Sequence, residues 1–124
     1  MTKNEVKKMV PDVCVQHITL TGFDWTAKDI NEKAMTLADG MGTGVICWDW
    51  HGEKNRLDVF TSYSFKNFLD AAKPGAKFTS RLGKEFTITG KPYLDNCRMC
   101  VSTDCGVWFC ENIYDPSQSY KNKD

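Results

Sequence analysis

The stretch TGVICWDWHGEKNRLDVFTSY, residues 43–63, decides the fold class. Two runs rich in β-branched and aromatic residues, 43–50 and 57–63, are separated by the polar sequence HGEKNR. Such runs on either side of a short polar loop are typical of two antiparallel strands joined by a turn. Residues 43–63 therefore predict a β-hairpin, and the neighbouring elements indicate the kind of sheet that it joins.

One strand and one helix are predicted on the N-terminal side of this hairpin. Residues 13–21, VCVQHITLT, are rich in β-branched residues and indicate a strand. Residues 27–39 are predicted to form a helix, which Thr26 and Asp29 would begin with an acidic variant of a capping box. Gly40 stands where a helix C-cap is expected. The apolar residues at helical spacing are Ile30, Ala34, Leu37 and Ala38.

The C-terminal side predicts a short helix followed by several strands. Ser64 can cap a helix over FKNFLDAA, residues 65–72, which Lys73-Pro74-Gly75 would end. The segment KFTSRLGKEFTITGKPYLD, residues 77–95, reads as strands separated by glycine and proline. VWFCENIY, residues 107–114, is predicted to form the last strand.

The chain of 124 residues is expected to form one domain, 1–124, because it contains no linker or internal repeat. A hydrophobic content of 41% is typical of a packed globular protein rather than a disordered one. Residues 1–11 are polar and predict a loose or briefly helical N-terminal arm, and residues 114–124 a polar tail.

The order of elements up to residue 90 is strand, helix, two strands, helix and strand. This connectivity predicts an α+β fold, a ferredoxin-like split βαβ sandwich with extra C-terminal strands. The alternative is a small OB-like β-barrel with one or two helices, which the hairpin-like run at 77–95 favours. The two folds contain the same elements and differ in which strands pair.

The net charge of zero gives no global field that would attract nucleic acid or a membrane surface. No apolar run approaches the roughly 20 residues that a membrane span needs. The N-terminal sequence MTKNEVKKMV lacks the apolar core of a signal peptide. These features predict a cytoplasmic protein that does not contact membranes, and a secreted mature protein is the alternative.

Four of the six cysteines lie within fifteen residues near the C-terminus, with the spacing C-x2-C-x4-C-x4-C. They are Cys97, Cys100, Cys105 and Cys110. The spacing resembles that of retroviral-type zinc knuckles, with Cys105 standing where that family has histidine. The family usually has glycine just before the third ligand, whereas this chain has Asp104 there and Gly106 after it. The resemblance implies a structural Zn²⁺ bound by four thiolates at about 2.3 Å.

Two other interpretations of the cysteines stay open. In a secreted protein, Cys97 could bridge Cys110 and Cys100 could bridge Cys105, and six cysteines allow many further pairings. Alternatively the thiols are reduced and structural, since a lone thiol on a strand face is more often buried and inert than reactive.

The segment 64–98 is basic, with seven Lys and Arg against three Asp and Glu, while both flanking segments are acidic. Cations clustered in this way can bind phosphates, and aromatic residues between them can stack on unpaired bases. The candidate residues for binding single-stranded nucleic acid are Lys73, Lys77, Phe78, Arg81, Lys84, Phe86, Lys91, Tyr93 and Arg98. The alternative is that the aromatic residues belong to the core and the lysines face solvent.

A second candidate surface is rich in tryptophan, which is enriched in the residues that dominate binding at protein interfaces. Its residues are Phe23, Trp25, Trp48 and Trp50. If exposed, they would bind a protein partner. Core packing of Trp48 and Trp50 is the alternative, because they share one face of the strand with Ile46.

An enzymatic function is not expected. Cys47, Asp49 and His51 share one strand face, but Cys47 and His51 would be roughly 13 Å apart, too far for a nucleophile and its base. The predicted function is therefore a non-enzymatic module that binds single-stranded nucleic acid and contains a structural zinc site of four cysteines. The alternatives are a viral or phage-type protein–protein inhibitor or adaptor and a secreted disulfide-linked effector.

Overall fold

A computed structural model describes residues 2–10, 15–21, 27–80 and 82–115 of the chain. The strands are β1 (Gln16–Thr21), β2 (Gly44–His51), β3 (Arg56–Ser62), β4 (Lys77–Thr79), β5 (Glu85–Thr87), β6 (Tyr93–Asp95), β7 (Arg98–Thr103) and β8 (Gly106–Phe109). The helices in these ranges are α1 (Lys3–Met9), α2 (Ala27–Met41), α3 (Tyr63–Ala71) and α4 (Cys110–Ile113). The prediction of an α+β fold is confirmed.

The first half of the sheet has β3 in its middle. β3 pairs antiparallel with β1 on one edge and with β2 on the other, so β1 and β2 run parallel with β3 between them. The predicted hairpin of β2 and β3 is confirmed. Its turn contains a short 3-10 segment, Gly52–Lys54, followed by Asn55 in the left-handed conformation.

The second half of the chain departs from both predicted folds. The sheet order is β1-β3-β2-β7-β6, with β8 on β7, while β4 and β5 pair with each other in a separate two-stranded sheet. A complete ferredoxin-like sandwich would instead place the strand after α3 beside β1. Among the described residues the sheets form no closed barrel, contrary to the OB-like alternative.

Helix α2 packs on the sheet through the face that its sequence predicts. Ile30 and Ala34 are buried, and so is Ala38. The helix runs beyond Gly40, contrary to the predicted end. Gly42 ends it, because its φ of 72° is favourable only for glycine, and the amide of Thr43 donates to the carbonyl of Ala38 at 2.9 Å.

Helix α3 packs closely on β2 because Gly44 has no side chain. A Cβ atom at Gly44 would lie 2.8 Å from the backbone of Lys66 in α3. Phe65 and Phe68 of this helix are buried. Ser64 lies inside the helix, so its predicted role as the cap is wrong; the residue before the helix is Ser62.

Both ends of the described chain contribute to the core. Residues 3–9 form α1, and Val6 and Val10 are buried. At the other end the predicted strand over 107–114 is wrong beyond Phe109, because α4 begins at Cys110 and buries both Cys110 and Ile113.

Candidate functional site

The structure does not bring the four C-terminal cysteines together. Cys97 lies in the turn between β6 and β7, and Cys105 in the turn between β7 and β8, at opposite ends of β7. Six strand residues separate the two turns by roughly 17 Å. Ligands of one zinc ion lie within about 5 Å of each other. No three His, Cys, Asp or Glu side chains in the described ranges are grouped so that they could hold a metal ion, and the four-cysteine zinc site stays a prediction.

The geometry of the thiols favours a structural role. Cys100 and Cys110 are buried, Cys105 is exposed, and no disulfide joins these three to one another or to Cys97. Burial raises the pKa of Cys110, with a smaller contribution from Cys100. Burial and the nearby Cys97 raise the pKa of Cys47 to about 12. Thiols with such pKa values are protonated at neutral pH and are poor nucleophiles.

Four of the predicted lysines line three different cavities. Lys73 and Lys91 line a cavity of about 270 Å³, Lys77 lines one of about 370 Å³, and Lys84 lines a third of about 300 Å³. Arg81 lies outside the described residues. The first two cavities also contain acidic residues, which are Asp70, Glu85 and Asp104.

Several of the residues predicted to bind nucleic acid contact other residues of the protein instead. Phe86 is only 2% exposed, so its ring cannot stack on a base. Phe78 packs against Phe68, with ring centroids 5.3 Å apart. Arg98 pairs with the buried carboxylate of Glu111 and stacks on the ring of Phe109. Tyr93 is 41% exposed, so among the predicted aromatic residues its ring is accessible to a base.

The predicted tryptophan surface is not assembled in the described part of the chain. Phe23 and Trp25 lie outside that part. Trp48 is buried, and its Nε1 donates a hydrogen bond to Oδ1 of Asn31 in α2 at 2.7 Å. Trp50 is partly buried against the core. Core packing therefore accounts for Trp48 and Trp50, because both lie on the strand face that α2 covers.

Trp108 of β8 borders two adjoining cavities. This tryptophan was not among the residues selected from the sequence. One cavity has a volume of about 300 Å³ and the other of about 420 Å³, and Trp108 and Asn112 line both. We call this surface the Trp108 groove. Its residues are Ser80, Leu82, Lys84, Phe86, Asp95, Cys100, Val107, Trp108, Phe109 and Asn112.

Two of these groove residues are apolar side chains exposed to solvent. Leu82 is 96% exposed and Val107 is 58% exposed. Leu82 lies in the tight turn between β4 and β5, where the amide of Gly83 donates to the carbonyl of Ser80 at 2.9 Å. Gly83 has a φ of 84°, which glycine adopts without strain. The turn therefore holds Leu82 outside the core.

The indole of Trp108 is held on three sides. Its Nε1 donates to the carbonyl of Cys105 at 3.2 Å. The ring meets Phe86 at 68°, with centroids 4.9 Å apart. The Nζ atom of Lys84 lies 5.0 Å from the Trp108 ring centroid and 5.5 Å from that of Phe86. Phe86 and Trp108 thus form an aromatic wall of the groove, and Lys84 lies beside it.

Both histidines of the chain meet at one carboxylate, which the sequence analysis did not select. In this Asp58 cluster, Nε2 of His17 lies 2.9 Å from Oδ1 of Asp58, and Nε2 of His51 lies 3.1 Å from Oδ2. The Thr19 hydroxyl donates to Oδ1 at 3.0 Å, and Nε of Arg56 lies 3.3 Å from Oδ2. The side chain of Asp58 is only 3% exposed.

The surroundings of Asp58 keep it ionised. Burial alone would raise its pKa, but the contacts with His17 and Thr19 and the charge of Arg56 outweigh burial and hold the pKa below its ordinary value of 3.8. Because its partners lie on β1, β2 and β3, the carboxylate joins all three strands. The alternation of polar residues along each strand is the signal that could have indicated the cluster, but only the strand pairing reveals it.

No protein-family model matches the chain, and no match is found among curated proteins or solved structures. Across the described ranges, no helix has the length and apolar character needed to cross a bilayer.

Proposed function

We propose that the chain is a non-enzymatic protein-binding module that receives an extended, apolar segment of a partner protein in the Trp108 groove. The observation that carries the proposal is the exposure of Leu82 and Val107, each of which lines one of the two cavities that the anchored Trp108 borders. Contiguous exposed apolar side chains beside well-formed cavities mark interaction sites. Tryptophan is also enriched among residues that dominate binding energy.

Strand β8 supports an extended shape for the bound segment. In the part of the chain that the structure describes, β8 pairs with β7 alone, so its outer edge offers backbone donors and acceptors. An extended peptide can add to such an edge and place alternate side chains into neighbouring pockets. Lys84, beside Trp108, favours a partner with an acidic residue next to its apolar ones, and that residue would lie in the cavity lined by Lys84 rather than in the one lined by Asp95.

The chemistry of the thiols and histidines in the described part of the chain favours a non-enzymatic role. The thiols of Cys47 and Cys110 have raised pKa values because they are buried. The histidines contact the carboxylate of Asp58 through Nε2, and the neighbouring hydroxyl of Thr19 donates to the same carboxylate. These groups stabilise the fold rather than attack a substrate. A viral or phage-type inhibitor or adaptor fits this proposal, and the cytoplasmic location stays a prediction.

A selection from a phage-displayed library of random peptides tests the proposal. We expect selected peptides that combine bulky apolar residues with an acidic one and bind with micromolar affinity. The double variant Leu82→Ser/Val107→Ser should weaken this binding at least about tenfold, because both apolar contacts are lost. The control Met41→Ser/Tyr63→Ser removes two exposed apolar side chains elsewhere and should not change it. A failed selection, or equal binding by both double variants, would overturn the proposal.

Single-stranded nucleic acid is a second candidate ligand, favoured by the convergence of Lys73 and Lys91 on one cavity. Tyr93, which is exposed, lies two residues after Lys91 and could stack on a base. We expect any such binding to weaken strongly between about 50 and about 200 mM salt.

Fluorescence anisotropy with a labelled oligothymidine tests this second candidate. Lys73→Glu/Lys91→Glu should abolish binding, whereas Lys33→Glu/Lys54→Glu, a change of equal charge at exposed positions elsewhere, should reduce it less. The candidate is discarded if the wild-type chain does not bind at low salt.

For the fold, we propose that β1, α2, β2 and β3 form a split β-α-β unit of the ferredoxin-like type. The position of β3 between the parallel strands β1 and β2, with α2 connecting them, supports this assignment.

A further inference from the structure

Strand β1 forms one edge of the six-stranded sheet. Its six residues, Gln16–Thr21, pair with β3 without a register shift. Within the described ranges no strand pairs with the opposite side of β1. A regular edge strand of this length presents a row of backbone donors and acceptors that can pair with another chain.

The sequence of β1, QHITLT, lacks the features that protect edge strands. It has no lysine, no proline and no acidic residue, and its one titratable side chain, His17, lies against Asp58. In contrast, β6 has three residues and follows Lys91 and Pro92. Charges and prolines near short edges prevent association, so β1 is the less protected of these two edges.

The side chains of β1 are also complementary to themselves. In an antiparallel pair about a two-fold axis through Thr19, Thr19 lies opposite its own copy, and Ile18 lies opposite Leu20 of the second chain. Ile18 and Leu20 are partly buried at the margin of the core. A second strand would cover them with the same two apolar side chains, and no like charges would meet.

We propose that the chain forms a symmetric dimer in which β1 pairs antiparallel with β1 of a second copy, with Thr19 opposite Thr19. The pairing would join two six-stranded sheets into one continuous sheet. Because one strand pair covers less area than the roughly 1,200 Å² that stable interfaces bury, the dimer is weak and forms at high micromolar concentration. This inference is independent of the proposed partner-binding function, since β1 and β8 are different edges.

Analytical ultracentrifugation of the full chain, from micromolar to millimolar concentration, tests the dimer. Thr19→Lys should raise the dimer dissociation constant at least about tenfold, because two like charges would face each other at the axis. Thr19→Val is the matched control, because it also removes the hydroxyl and its hydrogen bond to Asp58 but adds no charge. This variant should still dimerise. A wild-type chain that stays monomeric, or a Thr19→Lys variant that dimerises like the wild type, would overturn the proposal.

Cross-linking tests the register without relying on a charge. In a Cys105→Ser background, which removes the thiol that is exposed among the described cysteines, Thr19→Cys should form an intermolecular disulfide in oxidised glutathione. Thr21→Cys, on the same exposed strand face, lies opposite His17 rather than its own copy and should cross-link at least about tenfold more slowly. Equal rates for the two variants would contradict the register.

Discussion

The Nε2 atom of His17 lies 2.9 Å from Oδ1 of Asp58 and thereby connects the edge strand β1 to the neighbouring strand β3. His51 of β2 reaches the other carboxylate oxygen at 3.1 Å. The three strands that form the first half of the sheet therefore share one buried anion.

Asp58→Asn should lower the free energy of unfolding by about 1–3 kcal/mol. The substitution replaces one carboxylate oxygen with an NH2 group, which would face the hydrogen-bond donors that contact the carboxylate. Urea unfolding at neutral pH measures the change. Asp39→Asn, at an exposed position of α2, is the control and should change stability by less than about 0.5 kcal/mol. Equal effects of the two substitutions would show that the Asp58 cluster does not stabilise the sheet.

The contribution of Asp58 should disappear in acid. Its pKa in the folded chain is held below the ordinary value of 3.8, so the folded state binds the proton less readily than the unfolded state does. The stabilisation is complete above about pH 4 and is lost as the pH falls through the folded pKa. The difference in urea midpoint between wild type and Asp58→Asn should therefore narrow below about pH 4. A constant difference from neutral pH to about pH 3 would contradict this account.

Two glycines only four residues apart should respond in opposite ways to alanine. Gly44→Ala should destabilise the chain by about 1–3 kcal/mol, because a Cβ would lie 2.8 Å from the backbone of α3. Gly40→Ala should stabilise it by about 0.5–1 kcal/mol, because Gly40 lies inside α2 and has no atom within 4 Å of the new Cβ. Thermal unfolding measures both. Destabilisation by Gly40→Ala would mean that α2 ends before this residue.

Serine substitutions should distinguish the buried Cys110 from the exposed Cys105. Cys110→Ser should cost about 1–3 kcal/mol, because it places a hydroxyl in a fully buried site. Cys105→Ser should change stability by less than about 0.5 kcal/mol, because Cys105 is exposed in a turn. A zinc ion bound by all four cysteines would instead make both substitutions destabilising. Metal analysis of protein purified without chelator distinguishes the two cases directly.

Local patterns were sufficient to predict several elements of the fold. The helical spacing of Ile30 and Ala34 identified α2 and its buried face, and the polar sequence HGEKNR identified the turn between β2 and β3. These signals depend on residues close together in the chain. The end of α2 was misplaced because Gly40 and Gly42 both satisfy the sequence rule for a C-cap, and only the backbone conformation distinguishes them.

The sheet order and the candidate site depend on contacts that local patterns do not contain. β7 extends the sheet from β2, and β4 pairs only with β5, so the strands near the thiols could not be ordered from their sequences. The spacing of Cys97 and Cys105 resembles a metal site, but a regular six-residue strand separates them. No local pattern in the sequence distinguished Trp108 from the other tryptophans. Only its position on the short strand β8 places it beside the two cavities.

The most direct test of the proposed function is an NMR titration that follows the indole N–H signals of the chain with a selected peptide. The Trp108 signal should shift, because this indole borders both cavities of the groove. The Trp48 signal should stay in place, because that indole is buried and bonded to Asn31. A peptide that binds without shifting the Trp108 signal would contradict the account and place the binding surface elsewhere on the protein.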